Sequence, residues 1–162
     1  KKTGEMLFQS KNLWVIMDMI KGRPERPSYI DGRLPYVDPQ LRHFDPALPK
    51  FPSEDEYNEG SFDSLKVHPT YYDTDYNRHV NNISYIVWLM ESFPHEYLDH
   101  NLPEFFDVEW KKQCHLGDEI RVETKKKENS EEYYTKILRK CEDGSEEIAF
   151  HGITRWRKRV LD

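Results

Sequence analysis

The pattern of apolar and polar positions changes character several times along the chain. Residues 5–18, EMLFQSKNLWVIMD, carry a dense apolar end from Leu13 to Met17 and predict a strand, closed by Gly22, Arg23 and Pro24. Prolines then crowd together at Pro24, Pro27, Pro35, Pro39, Pro46, Pro49 and Pro52. Proline lacks an amide donor and fixes φ, so this stretch predicts an extended connection, neither helix nor central strand. It is too long for an ordinary loop inside one domain, which predicts a linker between two units. The opening strand is then an orphan, because a single strand cannot bury its own apolar face. It pairs with another chain or closes a domain lying upstream.

Residues 61–72, SFDSLKVHPTYY, predict a short strand, with Pro69 arguing for an edge or a bulge. The next stretch, DTDYNRHVNNISYIVWLME from Asp73 to Glu91, has two halves. The first gathers Asp73, Asp75, Asn77 and His79, and the second is apolar from Ile83 to Met90 except for Ser84. Asn82 is a good N-cap, and Pro94 should stop the helix. A helix with no polar face is a buried helix. From Pro103 the period becomes two. Phe106, Val108 and Trp110 alternate with Asp107, Glu109 and Lys111, and Ile120, Val122 and Thr124 alternate with Arg121, Glu123 and Lys125. Turns are predicted at His115–Asp118, Asn129–Ser130 and Asp143–Gly144, with strands over 131–141 and 146–159.

The order is a short strand, one buried helix and a four-strand meander. It predicts an α+β domain in which an antiparallel sheet wraps around one long helix, the hotdog arrangement. The sheet covers one side of the helix, and a second copy or domain covers the rest.

Composition narrows the field. A net charge of −6 over 162 residues argues against nucleic acid as the main partner. No apolar run is long enough to span a membrane, and the first ten residues lack the features of a signal peptide. Two cysteines, Cys114 and Cys141, are too few for a disulfide framework and predict a reduced, cytoplasmic setting. Aromatic residues make up 14%, enough to line a core or an apolar tunnel.

The polar cluster invites three interpretations. Asp73, Asp75, Asn77 and His79 alternate as calcium-loop ligands do, but Arg78 stands where the loop needs glycine and Ser84 where it needs glutamate. A zinc site lacks a second histidine or cysteine at motif spacing. No metal or other cofactor is expected. Asx side chains ahead of a helix also serve as turns and caps, which suffices for Asn81 or Asn82. An acid, an amide and an imidazole together favour catalysis by Asp75, Asn77 and His79.

The string D-x-D-x-N-x-H-V-N-N-x-x-Y-x-x-W-x-x-E, from Asp73 to Glu91, resembles the signature of acyl-[acyl-carrier-protein] thioesterases of the double-hotdog type. The likeness continues through Ser92-Phe93-Pro94, the strand from Val108 to Cys114, and Gly117-Asp118. It implies that residues 1–20 hold the last strand of a first hotdog domain, residues 21–56 the linker, and residues 57–162 the second hotdog. It implies hydrolysis of fatty acyl thioesters on carrier protein, by water, with Asp75, Asn77 and His79 catalytic. A neutral His79 would take the water's proton, Asp75 would orient the ring or the water, and Asn77 with the helix end would face the oxyanion. The partner implied is acyl-carrier protein, beside an upstream hotdog or a second copy.

One position departs from that family. The glutamate usually found directly before the strand cysteine is Gln113 here, which can position water but cannot act as a base. Glu91 is then a more distant candidate base. Alternation puts Cys114 on the side of Phe106, Val108 and Trp110, so a β-bulge would be needed to bring Gln113 inward. Cys114 with His79 could form a nucleophilic pair, although a buried strand cysteine is more often packing. Hydrolysis of acyl-CoA, or a non-catalytic acyl-binding or dimerising half, are the alternatives.

Overall fold

Six strands from residue 59 onward pair into one antiparallel sheet in a computed structural model that describes residues 10, 12, 14–18, 20–21, 23–26, 51–62 and 64–160. The chain divides into two units, Lys1–Lys50 and Phe51–Asp162. In the first, β1 (Ile16–Asp18) pairs with β2 (Arg23–Glu25), Ile16 opposite Glu25. The expected orphan therefore has a partner in its own unit. Residues 23–24, expected to close the strand, continue into its hairpin instead. Pro24 is tolerated because a two-stranded ribbon leaves one side of each strand without amide partners. Residues 5–9 and the proline-rich residues 27–50 lie outside the described residues.

The second unit opens earlier than expected, at Phe51. A 3₁₀ turn at Glu54–Glu56 leads to β3 (Glu59–Ser61) and β4 (Leu65–Val67), which share one edge of β6. Then come α1 (Asn82–Glu91), α2 (His95–His100), β5 (Asn101–Trp110), β6 (Ile120–Lys126), β7 (Glu132–Lys140) and β8 (Glu146–Lys158). The order across the sheet is β3-β6-β7-β8-β5, with β4 beside β6. The three predicted turns join these strands. At the last, Asp143 Oδ1 accepts from the Ser145 N–H and hydroxyl.

Helix α1 lies against the sheet through Ser84, Tyr85, Trp88 and Leu89, all buried. Tyr85 stacks on Phe150 of β8, and Phe93 just beyond the helix packs on Tyr133 and Trp156. A chain of buried hydroxyls fastens the helix end. Ser92 Oγ donates to the Leu89 carbonyl and lies 2.7 Å from Thr124 Oγ1, which lies 2.8 Å from Thr135 Oγ1. The helix is not enclosed all round, as its composition predicted. Ile83 is 65% exposed and Val87 49%, because the sheet curls over one face only. Nor is it long, since Pro94 separates its ten residues from α2.

Gly152 sets how close that face can come. A β-carbon there would lie 3.0 Å from Leu89 Cδ1 and 3.1 Å from Val108 Cγ1. Gly152→Ala is expected to cost about 1–3 kcal/mol through overpacking, read as a lower urea midpoint at unchanged slope.

The outer face carries a second cluster, in which Tyr57, Tyr134 and Ile153 pack with Phe51 and Phe105. His151 is buried in it, with Nδ1 3.1 Å from the Tyr134 hydroxyl, Nε2 2.6 Å from Glu109 Oε2, and its ring stacked on Phe51. Burial pushes His151 below its ordinary 6.5, against the pull of Glu109. The His151 hydrogen bond in turn holds Glu109 below its ordinary 4.5. Both groups bind protons more readily in the unfolded chain. Their contribution to stability is therefore complete above pH 6.5 and shrinks as pH falls, first through His151 and then, below 4.5, through Glu109. A His151→Phe variant should lose less stability than the wild type on acidification below pH 6.5, measured by urea unfolding across that range.

Candidate active site

Thr74 and Val80 form an isolated antiparallel bridge, which closes residues 75–79 into a loop at the start of α1. Asp75 holds that loop from within. Its N–H donates to the His79 carbonyl at 2.8 Å, and its carbonyl accepts from the Arg78 N–H at 3.0 Å. Its Oδ1 accepts from the N–H groups of Asn77 (2.8 Å) and His79 (3.2 Å). Arg78 completes the turn in the left-handed region, at φ 62°. The Asp75 carboxylate thus serves the main chain and acts on His79 through its backbone, whereas the sequence suggested contact with the ring or a water.

Asp73 belongs to the scaffold. It caps a 3₁₀ turn, Tyr71–Asp73, by accepting from the Thr70 N–H and hydroxyl, both at 2.7 Å. Burial alone would raise its carboxyl; hydrogen bonds from Thr70 and Ser84 bring it below the usual carboxylate range. The helix cap is Asn81, one residue before the expected Asn82, with Oδ1 accepting from the Ile83 N–H at 3.0 Å. Asn81 fits because its own N–H is tied to the Asp73 carbonyl at 2.7 Å.

The facing wall is the segment after β5. The Lys111 and Lys112 N–H groups both donate to the Ala149 carbonyl, two residues against one, which is a bulge. The chain then docks on loop and helix together. The Val80 N–H donates to the Cys114 carbonyl at 2.8 Å, and the Cys114 N–H donates to the Tyr85 hydroxyl at 2.9 Å. His79 bridges His115, their rings edge to face with centroids 5.2 Å apart. Over residues 113–115 burial runs exposed, buried, exposed. Gln113 and His115 are therefore exposed on either side of Cys114, and His115 is the one shown against His79. The bulge does not turn Gln113 into the core; its carbonyl accepts from Arg139 Nη1 at 2.8 Å.

The structure brings His79 against His115 just ahead of α1, with Asn77 on the same loop as His79 and Gln113 two residues before His115, and it leaves two candidates out. Glu91 sits at the other end of the helix, 3.9 Å from His95. Nine residues of helix put it roughly 13 Å from Asn82, too far to serve as the base. Cys114 has no exposed surface, and burial pushes its thiol up. It is core packing, as strand alternation predicted, and not a supporting nucleophile. Cys114→Ala is expected to keep most of any thioesterase activity and to lose about 1 kcal/mol of stability. Sequence reasoning passed over His115 and the Tyr85 hydroxyl. The signal for His115 was its position two residues beyond Gln113, on the same side of an extended segment. Among the described residues, no group of three His, Cys, Asp or Glu side chains is placed to hold a metal.

A helix lying against one face of a six-stranded antiparallel sheet defines a hotdog domain. The family profile of the acyl-ACP thioesterase C-terminal domain matches residues 56–158, and the chain belongs to that family. It is 28% identical over 185 residues to the oleoyl-acyl carrier protein thioesterase 2 of Arabidopsis thaliana, covering 97% of this chain and 49% of that protein. It is 26% identical over 166 residues to a dodecanoyl-[acyl-carrier-protein] hydrolase of Cinnamomum camphora, covering 99% and 42%. Among solved structures, the 12:0-ACP thioesterase from Umbellularia californica shares the fold, with a TM-score of 0.61 at 21% identity over 88% of this chain and 53% of that one. So does an acyl-ACP thioesterase from Bacteroides thetaiotaomicron, with a TM-score of 0.60 at 18% identity over 87% and 53%. The chain spans about half the length of the curated relatives it matches.

Proposed function

We propose that this protein hydrolyses the thioester between a fatty acyl chain and acyl-carrier protein, releasing free fatty acid by attack of water. The observation that carries the proposal is the meeting of His79 and Val80, on the Asn77 loop at the start of α1, with His115 and Cys114 of the opposite segment. The thioester carbonyl would lie at the helix end, where the Asn77 amide and the positive end of the helix dipole favour a developing oxyanion. An imidazole would receive the proton of the attacking water. Gln113, lacking an ionisable group, would position that water.

An exposed apolar surface surrounds this site. Ile83 and Val87 lie one turn apart on α1, with exposed Tyr71, Tyr72, Tyr76 and Leu116 on the flanking loops. Such a surface suits the second layer that a hotdog helix needs, supplied by an upstream hotdog or a second copy of this chain. Carrier-protein docking has weaker support from the basic residues. Lys111, Lys125, Lys126, Lys127 and Arg155 all pair with carboxylates of the same unit, while Arg157, Lys158 and Arg159 remain exposed for an acidic carrier. A cytoplasmic location belongs to the same reading, on the two free cysteines.

The test is release of free fatty acid from one acyl chain presented on carrier protein and on coenzyme A. Faster turnover of the carrier-protein substrate, with a KM that rises with salt only for that substrate, is the expected result. Preference for the coenzyme A ester would make this an acyl-CoA thioesterase. Acyl binding without turnover of either would overturn the enzymatic reading.

A further inference from the structure

We propose that residues 51–57 form a strap across the outer face of the sheet, and that protonation of His151 releases its leading end. The strap is held at three places. At the far end Tyr57 is buried against Tyr134, ring centroids 5.5 Å apart, and its hydroxyl donates to Glu132 Oε1 at 2.8 Å. In the middle, Glu54 Oε1 accepts from Lys125 Nζ at 2.6 Å and Lys136 Nζ at 2.9 Å, and Glu56 Oε2 accepts from Lys127 Nζ at 3.2 Å. At the leading end Phe51 stacks on His151, centroids 3.9 Å apart with 14° between the planes, and meets Tyr134 edge-on. Ion pairs near the surface contribute little, so the leading end depends on the stacked ring.

The contacts of His151 specify a neutral imidazole. The ionised Glu109 can only accept, so Nε2, 2.6 Å from Glu109 Oε2, carries the hydrogen. Nδ1 then presents a lone pair, which accepts from the Tyr134 hydroxyl at 3.1 Å. A second proton, on Nδ1, sets two donors against each other and places a charge on a residue that is 8% exposed. Phe51 covers the face of that ring, so water reaches it there only when Phe51 leaves.

Charged groups act on the ring from each neighbouring element. On β5, Glu109 and Asp107 favour the imidazolium; Lys111 just beyond β5 opposes it, and so does Lys136, opposite His151 on β7. The strap's own Glu54 is taken up by Lys125 and Lys136. Burial outweighs the attraction and keeps the covered His151 below its ordinary 6.5. An uncovered ring keeps Glu109, gains water and binds the proton more readily. Closure is therefore complete above pH 6.5 and weakens as pH falls below it. Burial raises the Glu54 carboxyl, but hydrogen bonds from Lys125 and Lys136 bring it below its ordinary 4.5. The middle of the strap thus stays ionised while His151 begins to titrate.

The experiment is amide hydrogen exchange of the intact protein, read by mass spectrometry at about pH 7.5 and about pH 5.5, on either side of the ordinary histidine range. Expressing it as protection factors removes the intrinsic pH dependence of exchange. The Glu56 and Tyr57 N–H groups, bonded to the Ser53 and Glu54 carbonyls, report the strap. Their protection should fall about 3–10-fold on acidification while that of α1 holds, since one titrating group changes an equilibrium at most about tenfold per pH unit. His151→Gln and His151→Phe cannot take up the proton and should keep strap protection constant over the same range. Wild-type strap protection that ignores pH would overturn the proposal. So would a fall that persists in both variants, or one shared equally by α1, which reports loss of the whole domain. Should His151→Phe unfold, His151→Gln, which keeps an amide for Glu109 and Tyr134, decides alone. No acyl substrate enters the measurement, so its outcome is independent of the thioesterase reading.

Discussion

Under the proposed function, Asn77→Ala and His79→Ala are each expected to slow thioester hydrolysis by ~10²–10³-fold, the range lost when an oxyanion donor or a group that handles the proton is removed. The fall should appear in kcat with KM little changed, because the interaction develops only in the transition state. Among the described residues, neither side chain makes a hydrogen bond that holds the loop. Its shape depends on Asp75, on the Thr74–Val80 bridge and on the left-handed Arg78. The thermal midpoint of both variants should therefore stay near that of the wild type. Asp75 divides differently: Asp75→Asn keeps an oxygen for the two N–H groups and should retain most activity, while Asp75→Ala releases the loop and should not. Equal losses in Asp75→Asn and Asp75→Ala would show that the charge acts directly in the reaction.

Tyr85→Ala should destabilise the second unit by about 3–5 kcal/mol, and Tyr85→Phe by about 1–3 kcal/mol, both measured by denaturant unfolding. The ring stacks on Phe150 and tilts against Trp88, so the alanine variant empties the centre of the helix–sheet contact. The phenylalanine variant isolates the hydroxyl. That hydroxyl accepts the Cys114 N–H at 2.9 Å, and without it a buried donor has no partner. The same bond fixes residues 112–115 against the helix. Tyr85→Phe should therefore also lower kcat, whereas Gly152→Ala, which stresses the core away from this contact, should change stability more than activity. Full activity in Tyr85→Phe would mean that His115 is held by its bridge to His79 alone.

Much of the domain could be read from local pattern because the physics there is local. Alternation over Phe105–Trp110, Ile120–Lys126 and Glu132–Lys140 reflects the two-residue repeat of a strand with one face on a core. Turn chemistry at Asp143–Gly144 and the stop at Pro94 depend on single residues. The caps were less certain: Asn81 and Asn82 are chemically equal candidates, and the hydrogen bond from the Asn81 N–H to Asp73 selects the first. The hairpin partner of β1 was hidden by Pro24, whose presence argues against a strand except at an edge.

Burial of the helix marks where pattern stops being sufficient. An all-apolar helix states that both of its faces want cover, and it does not state what supplies the cover. The sheet covers Tyr85, Trp88 and Leu89 and leaves Ile83 and Val87 exposed. The site divides in the same way. That Asn77 and His79 stand together ahead of the helix followed from residues two apart. That Glu91 is remote and Cys114 enclosed followed from helical rise and strand alternation once those elements were in place.

By itself, the order of residues determined the strands of the meander, the helix with its stop and the family signature, since each depends on neighbours within a few positions. Only the tertiary structure decided that Asp75 is spent on backbone, and that His115, thirty-six residues beyond His79 in the sequence, comes to lie against it. Contacts across such a distance arise from how strands register and where a bulge falls, and these are set by packing of the whole sheet on the helix.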